Sequence, residues 1–150
     1  MYKKAQAAME FLMTYGWAIL VVLVAIGALA YFGVLNPSKF LPSSCVVTPG
    51  ISCDDHRVVA DGSATIVLRN GVGQDLSSVV IKVGGCGGDA TGPTTIADGS
   101  QGTYTYALAA CTVGAGGSKF KADLNVSYAA GGSSVTHKKV GQLVTNVESS

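Results

Sequence analysis

Residues 6–35, reading QAAMEFLMTYGWAILVVLVAIGALAYFGVL, constrain this chain more than any other stretch. No charged side chain occurs in residues 11–35. At about 1.5 Å per residue, a helix of that length crosses the roughly 30 Å hydrocarbon layer of a bilayer. The apolar residues lack a 3.6-residue period, because Ile19, Leu20, Val21, Val22, Leu23 and Val24 are consecutive and cover every side of a helix. A helix of this kind has to be enclosed by lipid or by other protein; the core helix of a soluble domain keeps a polar face.

The N-terminal end of the run adds chemistry to hydropathy. Lys3 and Lys4 stand first, then Ala5 and Gln6, then a lone carboxylate, Glu10, at the edge of the apolar stretch. An anion near a bilayer centre costs a few kcal/mol, so its presence there needs a reason. A cut between Ala5 and Gln6 would make Glu10 the fifth residue and create a new α-amino group at Gln6.

A basic leader, a small residue, a glutamine, a glutamate and an intact apolar helix, in this register, resemble the class III signal peptide of archaeal type IV pilins. The resemblance covers residues 3–35. The family commonly places a small hydroxyl residue two positions after the glutamine and a leucine eight positions after it; this chain has Ala8 and Thr14 there. The resemblance implies a structural subunit of a helical surface filament, serving adhesion, attachment or motility. It implies processing at Ala5 and Gln6 by a membrane prepilin peptidase and polymerisation by an ATP-driven assembly platform. The subunit would sit in the cytoplasmic membrane before assembly and in an extracellular homopolymer afterwards.

Two other readings use the same residues. A conventional secretory signal would use Ala28-Leu29-Ala30 as its small-x-small site, but the preceding span is long for one and Glu10 would open its apolar region. An uncleaved signal anchor would leave a monomeric, membrane-anchored extracellular binding domain. For Glu10 the filament reading supplies a partner, the α-amino group at Gln6 of its own or a neighbouring copy, because an unpaired charge in an apolar bundle is costly. The plainer alternative is a carboxylate at headgroup level that marks the membrane boundary.

Beyond the leader and helix, a little over a hundred of the 150 residues remain, which suits one small domain. A formal net charge of +1, with Lys138-Lys139 the only basic pair after the leader, gives no support to nucleic-acid binding. Cys45, Cys53, Cys86 and Cys111 all follow the apolar run. The positive-inside rule holds Lys3 and Lys4 in the cytoplasm and sends these cysteines outside, where disulfides persist. Four cysteines allow three connectivities; Cys45 with Cys53 and Cys86 with Cys111 are favoured because each pair closes locally.

The domain plan is a leader at 1–5, an apolar helix at 6–35, a linker at 36–44 and an extracellular head at 45–150. Asn36-Pro37 is expected to end the helix, since proline disfavours helical geometry before it and lacks a donor. After Cys53 the pattern becomes alternation. Ala64, Ile66 and Leu68 share one face and Val79, Ile81 and Val83 another, with Asn70-Gly71-Val72-Gly73 as a short connecting loop. Tyr104 and Tyr106 alternate with threonines, and Phe120, Ala122, Leu124, Val126 and Tyr128 form the clearest apolar strand face. In residues 135–147 the alternation slips near Lys139-Val140-Gly141, and a bulge is expected there. The fold class is therefore α+β: a long N-terminal hydrophobic helix, then a small antiparallel β-sandwich (Ig-like) head.

Candidate sites in the head are few. Cys45, Cys53, Asp54, Asp55 and His56 contain zinc-ligand types, but not at the paired Cys-x-x-Cys spacing, and bridged cysteines beside polar surface residues is the preferred account; no metal or other cofactor is assigned. Residues 84–89 are glycine-rich but lead into Gly92-Pro93 rather than a helix, so they are a loop and not a phosphate cradle. His56 and His137 belong to no nucleophile motif, and no Cys-x-x-Cys-His occurs for covalent haem, so the chain reads as a non-enzyme. Asn125-Val126-Ser127 is a glycosylation sequon whose Asn125 lies opposite the Phe120 face. Gly16, Gly27, Ala28 and Gly33 would let helices approach closely, although no Gly-x-x-x-Gly is present.

Overall fold

The computed structural model describes residues 2–34 and 41–150, so the junction at Asn36-Pro37 and most of the expected linker lie outside the described residues. The chain divides into two compact units, 1–41 and 42–150.

The first unit is one helix, α1 (Tyr2–Tyr31), of 30 residues with none buried. It is long and apolar enough to cross a membrane. Its β-branched residues are mediocre helix formers in water, but a bilayer forces every backbone group to find its partner within the segment. Thr14 satisfies its hydroxyl by donating to the Glu10 carbonyl, 2.8 Å away. The helix stops before the proline expected to end it. Gly33 takes φ +71°, its N–H bonds Ala30 O at 3.1 Å and the Val34 N–H bonds Leu29 O at 3.1 Å. This left-handed cap closes the last orphan carbonyls, and glycine adopts it without a Cβ penalty.

The second unit holds seven strands: β1 (Ser44–Val47), β2 (Ile51–Val59), β3 (Ala64–Asn70), β4 (Leu76–Val83), β5 (Gln101–Tyr106), β6 (Lys119–Ala130) and β7 (Thr136–Glu148). The order is β4-β6-β7-β2-β3-β5, with β1 also on β7. Long β7 joins the two halves. Residues 136–146 pair with β6 and residues 141–144 with β1, while Val147 and Glu148 run parallel to Val58 and Val59 of β2. On the far side, residues 90–96 lie between β4 and β5: Val79 N–H bonds Thr94 O and Ala90 N–H bonds Ile81 O, both at 2.9 Å, and Thr91 bridges Thr105. The result is a mixed, nearly closed, barrel-like sheet rather than the expected antiparallel Ig-like sandwich. The parallel pairing arises because the end of β7 leaves β6 and runs on beside β2, and closure covers edges that a sandwich would leave open.

Inner faces follow the alternation. Ile66, Leu68, Ile81, Leu124, Val126 and Leu143 are fully buried, and Tyr104 and Tyr106 fill the β5 side. β3 and β4 do not form a hairpin: β3 pairs with β2 and β5, and β4 with β6. Buried Asn70 turns the chain between them. Its Nδ2 donates to Gln74 O (2.7 Å) and Ile96 O (3.1 Å), and its Oδ1 accepts from Val72 N–H at 2.9 Å. Nor does β7 bulge at residues 139–141, where its register with β6 is unbroken. Gly141 sits there because a Cβ would strike the Val46 carbonyl of β1. The bulges fall elsewhere, between Cys53 and Asp55 and between Ser77 and Val80.

Candidate functional site

Ala5, Gln6 and Glu10 all lie within α1 and are exposed. The Ala5–Gln6 bond sits in the helix's first turns, so hydrolysis requires those turns to open. Opening is easiest at that end, where the first N–H groups have no intrahelical partner. Gln6, Glu10 and Thr14 are spaced by four and share one face. Because helical side chains lean toward the N-terminus, the Glu10 carboxylate reaches toward Gln6. An α-amino group formed there would be one turn from the carboxylate on the same face.

The rest of α1 carries apolar contact surface. A Cβ added at Gly16 or Gly27 would meet nothing within 4 Å, so both glycines are open notches on the rod. Aromatic rings cluster near both ends of the apolar run: Phe11 stacks on Tyr15 with centroids 4.8 Å apart, Trp17 follows, and Tyr31 meets Phe32 edge-on at 5.6 Å. Amphipathic rings at those levels match the two interfaces of a bilayer.

In the head, disulfides join Cys45 to Cys53 (Cα–Cα 5.7 Å), tying β1 to β2, and Cys86 to Cys111, closing the glycine-rich loop onto residues after β5. Backbone bonds from Gly87 N–H to Ala110 O and from Thr112 N–H to Gly85 O, both 2.7 Å, flank the second bridge. Cys45, Cys53 and His56 do converge, their ligand atoms lying within 4.8 Å of one another. Both sulfurs, however, are consumed in the bridge, leaving one imidazole and no thiolate.

Asp54, which sequence reasoning places among surface residues beside a disulfide, organises a polar cluster. It is the extra residue of the β2 bulge, and the bulge aims it across the outer face. Its carboxylate accepts from Gln101 Nε2, Arg69 Nε (2.7 Å) and Ser52 Oγ (3.1 Å). The Gln101 amide, then Arg69, hold its pKa below the usual carboxylate range. The broken alternation of ISCDDHRVV was the available signal for a bulged strand.

Two tyrosines have their hydroxyls fixed indoors. Tyr104 OH donates to Pro93 O at 2.8 Å, and burial pushes its pKa up to about 12. Tyr106 OH accepts from Val83 N–H at 3.0 Å, and burial raises its pKa as well. His137 stacks on Tyr128 with centroids 5.6 Å apart. Asn125 sits half-buried on the outer face of β6, opposite Lys82 of β4 and Val140 of β7. No protein-family model matches the chain, and neither a curated protein nor a solved structure matches it.

Proposed function

We propose that this chain is a structural subunit of an archaeal type IV pilus-like adhesion filament. Its helix resides in the membrane until the leader is cut after Ala5, and copies then pack helix against helix with the heads displayed outside. The observation that carries the reading is α1 itself: apolar on every side, with none of its residues buried, in a chain whose head already has a complete core. A rod of that kind is stable inside lipid or packed against other protein, and copies of itself meet that need. The notches at Gly16 and Gly27 favour close helix contact, and Glu10 one turn from Gln6 gives the carboxylate a partner after cleavage. A prepilin peptidase and an assembly ATPase with its membrane platform are the partners this requires. The reading assigns no catalytic chemistry and no cofactor.

A monomeric membrane-anchored binding domain is the second reading, favoured by the aromatic rings near both ends of the apolar run. Mass spectrometry of the mature N-terminus, on material sheared from cells and imaged by electron microscopy, separates the two. The expected result is filaments containing this chain with Gln6 as first residue. An intact Met1 on protein found only in membranes overturns the filament reading.

A further inference from the structure

The head is nearly neutral as a whole but divided in its charge. All five of its lysines, Lys82, Lys119, Lys121, Lys138 and Lys139, stand on β4, β6 and β7, against Asp123 and Glu148, a formal +3. The remaining part holds six carboxylates, Asp54, Asp55, Asp61, Asp75, Asp89 and Asp98, against two arginines, a formal −4. Both arginines are already engaged: Arg57 with Glu148 and Arg69 with Asp54, each at 2.7 Å. Asp55, in mid-β2, and Asp98, just before β5, are exposed on that side and make no ion pair among the described residues. On the lysine side, Lys121 and Lys138 are exposed on the outward face, and Val46 and Val140, more than half exposed, line an open groove beside them with Pro49 and Asp123.

We infer that the lysine face of β4, β6 and β7 docks on the aspartate side of a second copy of this chain. Charge complementarity selects the occupant. Pairing either face with itself would set like charges together, so a two-fold dimer is disfavoured. Pairing the two faces joins opposite charges and repeats head-to-tail into an open array, while Val46 and Val140 give the contact an apolar centre. The inference rests on the filament reading and names the head contact that would set its repeat. It also excludes a glycan on Asn125 in assembled copies, since that residue lies amid the docking face.

The test is filament yield from cells expressing the full chain as wild type, as K121E/K138E, as D55K/D98K, and as the four changes combined. Each reversal alone is expected to lower yield about tenfold or more, and the combined swap, which restores complementarity with the signs exchanged, to recover it. Thermal unfolding of each variant's head at the wild-type midpoint assigns the loss to docking rather than folding. Unchanged yield in K121E/K138E, a folded combined swap that fails to recover, or a glycan mass on Asn125 in filaments overturns the docking. So does wild-type binding to anionic phospholipid vesicles that K121E/K138E abolishes while filaments persist. Absence of filaments from wild-type cells refutes the filament reading instead.

Discussion

The helix and the head are built from similarly apolar residues and treat them in opposite ways. Leu23 on α1 is 64% exposed, whereas Leu124 on β6 is fully buried. The difference lies in period. On β6 every second residue is apolar, so one face closes on the interior of the barrel-like sheet and the other meets water. On α1 no face is spared, so the helix has no polar side to turn to water. Apolarity alone therefore does not make a core; a fold that closes on itself needs a polar face to stop at. The head closes a core of its own, whereas a helix apolar on every side has to be enclosed by lipid or by other protein.

The sharpest way to break this contrast is to make the same substitution in each unit. Leu124→Ala should destabilise the head by about 2–5 kcal/mol, the usual range for deleting a buried leucine. Leu23→Ala should leave the head's denaturant midpoint where it was. The single tryptophan, Trp17, lies on α1, while the buried tyrosines Tyr104 and Tyr106 lie in the head. Tyr2, Tyr15 and Tyr31 on α1 add to any tyrosine signal, so hydrogen exchange of the β6 backbone amides, followed by mass spectrometry through the denaturant titration, is the readout that follows the head alone. A shift of that midpoint by Leu23→Ala would show that the head borrows stability from the helix.

What was legible in the sequence divides along the same line. The helix and the strand faces of β3, β5 and β6 are periodic signals that each segment carries locally, and they were readable. What escaped depends on non-local contacts. The short loop at residues 70–73 does join two strands, but Asn70 is drawn inward by carbonyls at residues 74 and 96, and the strands it joins pair with others rather than with each other. Gly141 reads as a bulge, but answers to the backbone of β1, nearly a hundred residues earlier. β2 was hidden because the bulge at Asp54 breaks its alternation. At the helix end, Gly33 rather than Pro37 makes the cap, a local signal passed over in favour of the stronger breaker. For the candidate site, Ala5, Gln6 and Glu10 were legible as motif residues, whereas the charge division of the head emerges only once the strands are ordered.

A second comparison lies within the head, between its two disulfides. In the chain-entropy account, the stabilisation from a cross-link grows with the loop it closes. The bridges span 8 and 25 residues, giving about 2.5 kcal/mol for Cys45–Cys53 and about 3.5 kcal/mol for Cys86–Cys111. Replacing Cys86 and Cys111 with serine should accordingly lower the head's denaturant midpoint more than replacing Cys45 and Cys53. The reverse order would mean that β1, pinned to β2 by the first bridge and laid over Gly141, contributes more to closing the sheet than the loop argument credits.

The smallest expected effect concerns proton linkage at Tyr104. Its pKa is about 12 in the folded head against an ordinary 10.0, because burial disfavours the phenolate. Between those values the folded chain holds a proton that the unfolded chain has released. Stability from this group is thus fully present below about pH 10 and is lost as pH rises toward 12. Tyr104→Phe has no such proton to lose, but it gives up the hydrogen bond to Pro93 O, which costs about 1 kcal/mol at neutral pH. Unfolding free energies of the two proteins should therefore differ by about that amount at pH 7, meet within about one pH unit above pH 10, and cross before pH 12, because linkage at about 1.4 kcal/mol per pH unit outweighs the hydrogen bond. Every other group is common to both proteins and cancels from the difference. A gap that stays constant to pH 12 would mean that the Tyr104 hydroxyl meets water in the folded head, and that the seal between β5 and residues 90–96 is looser than its backbone bonds indicate.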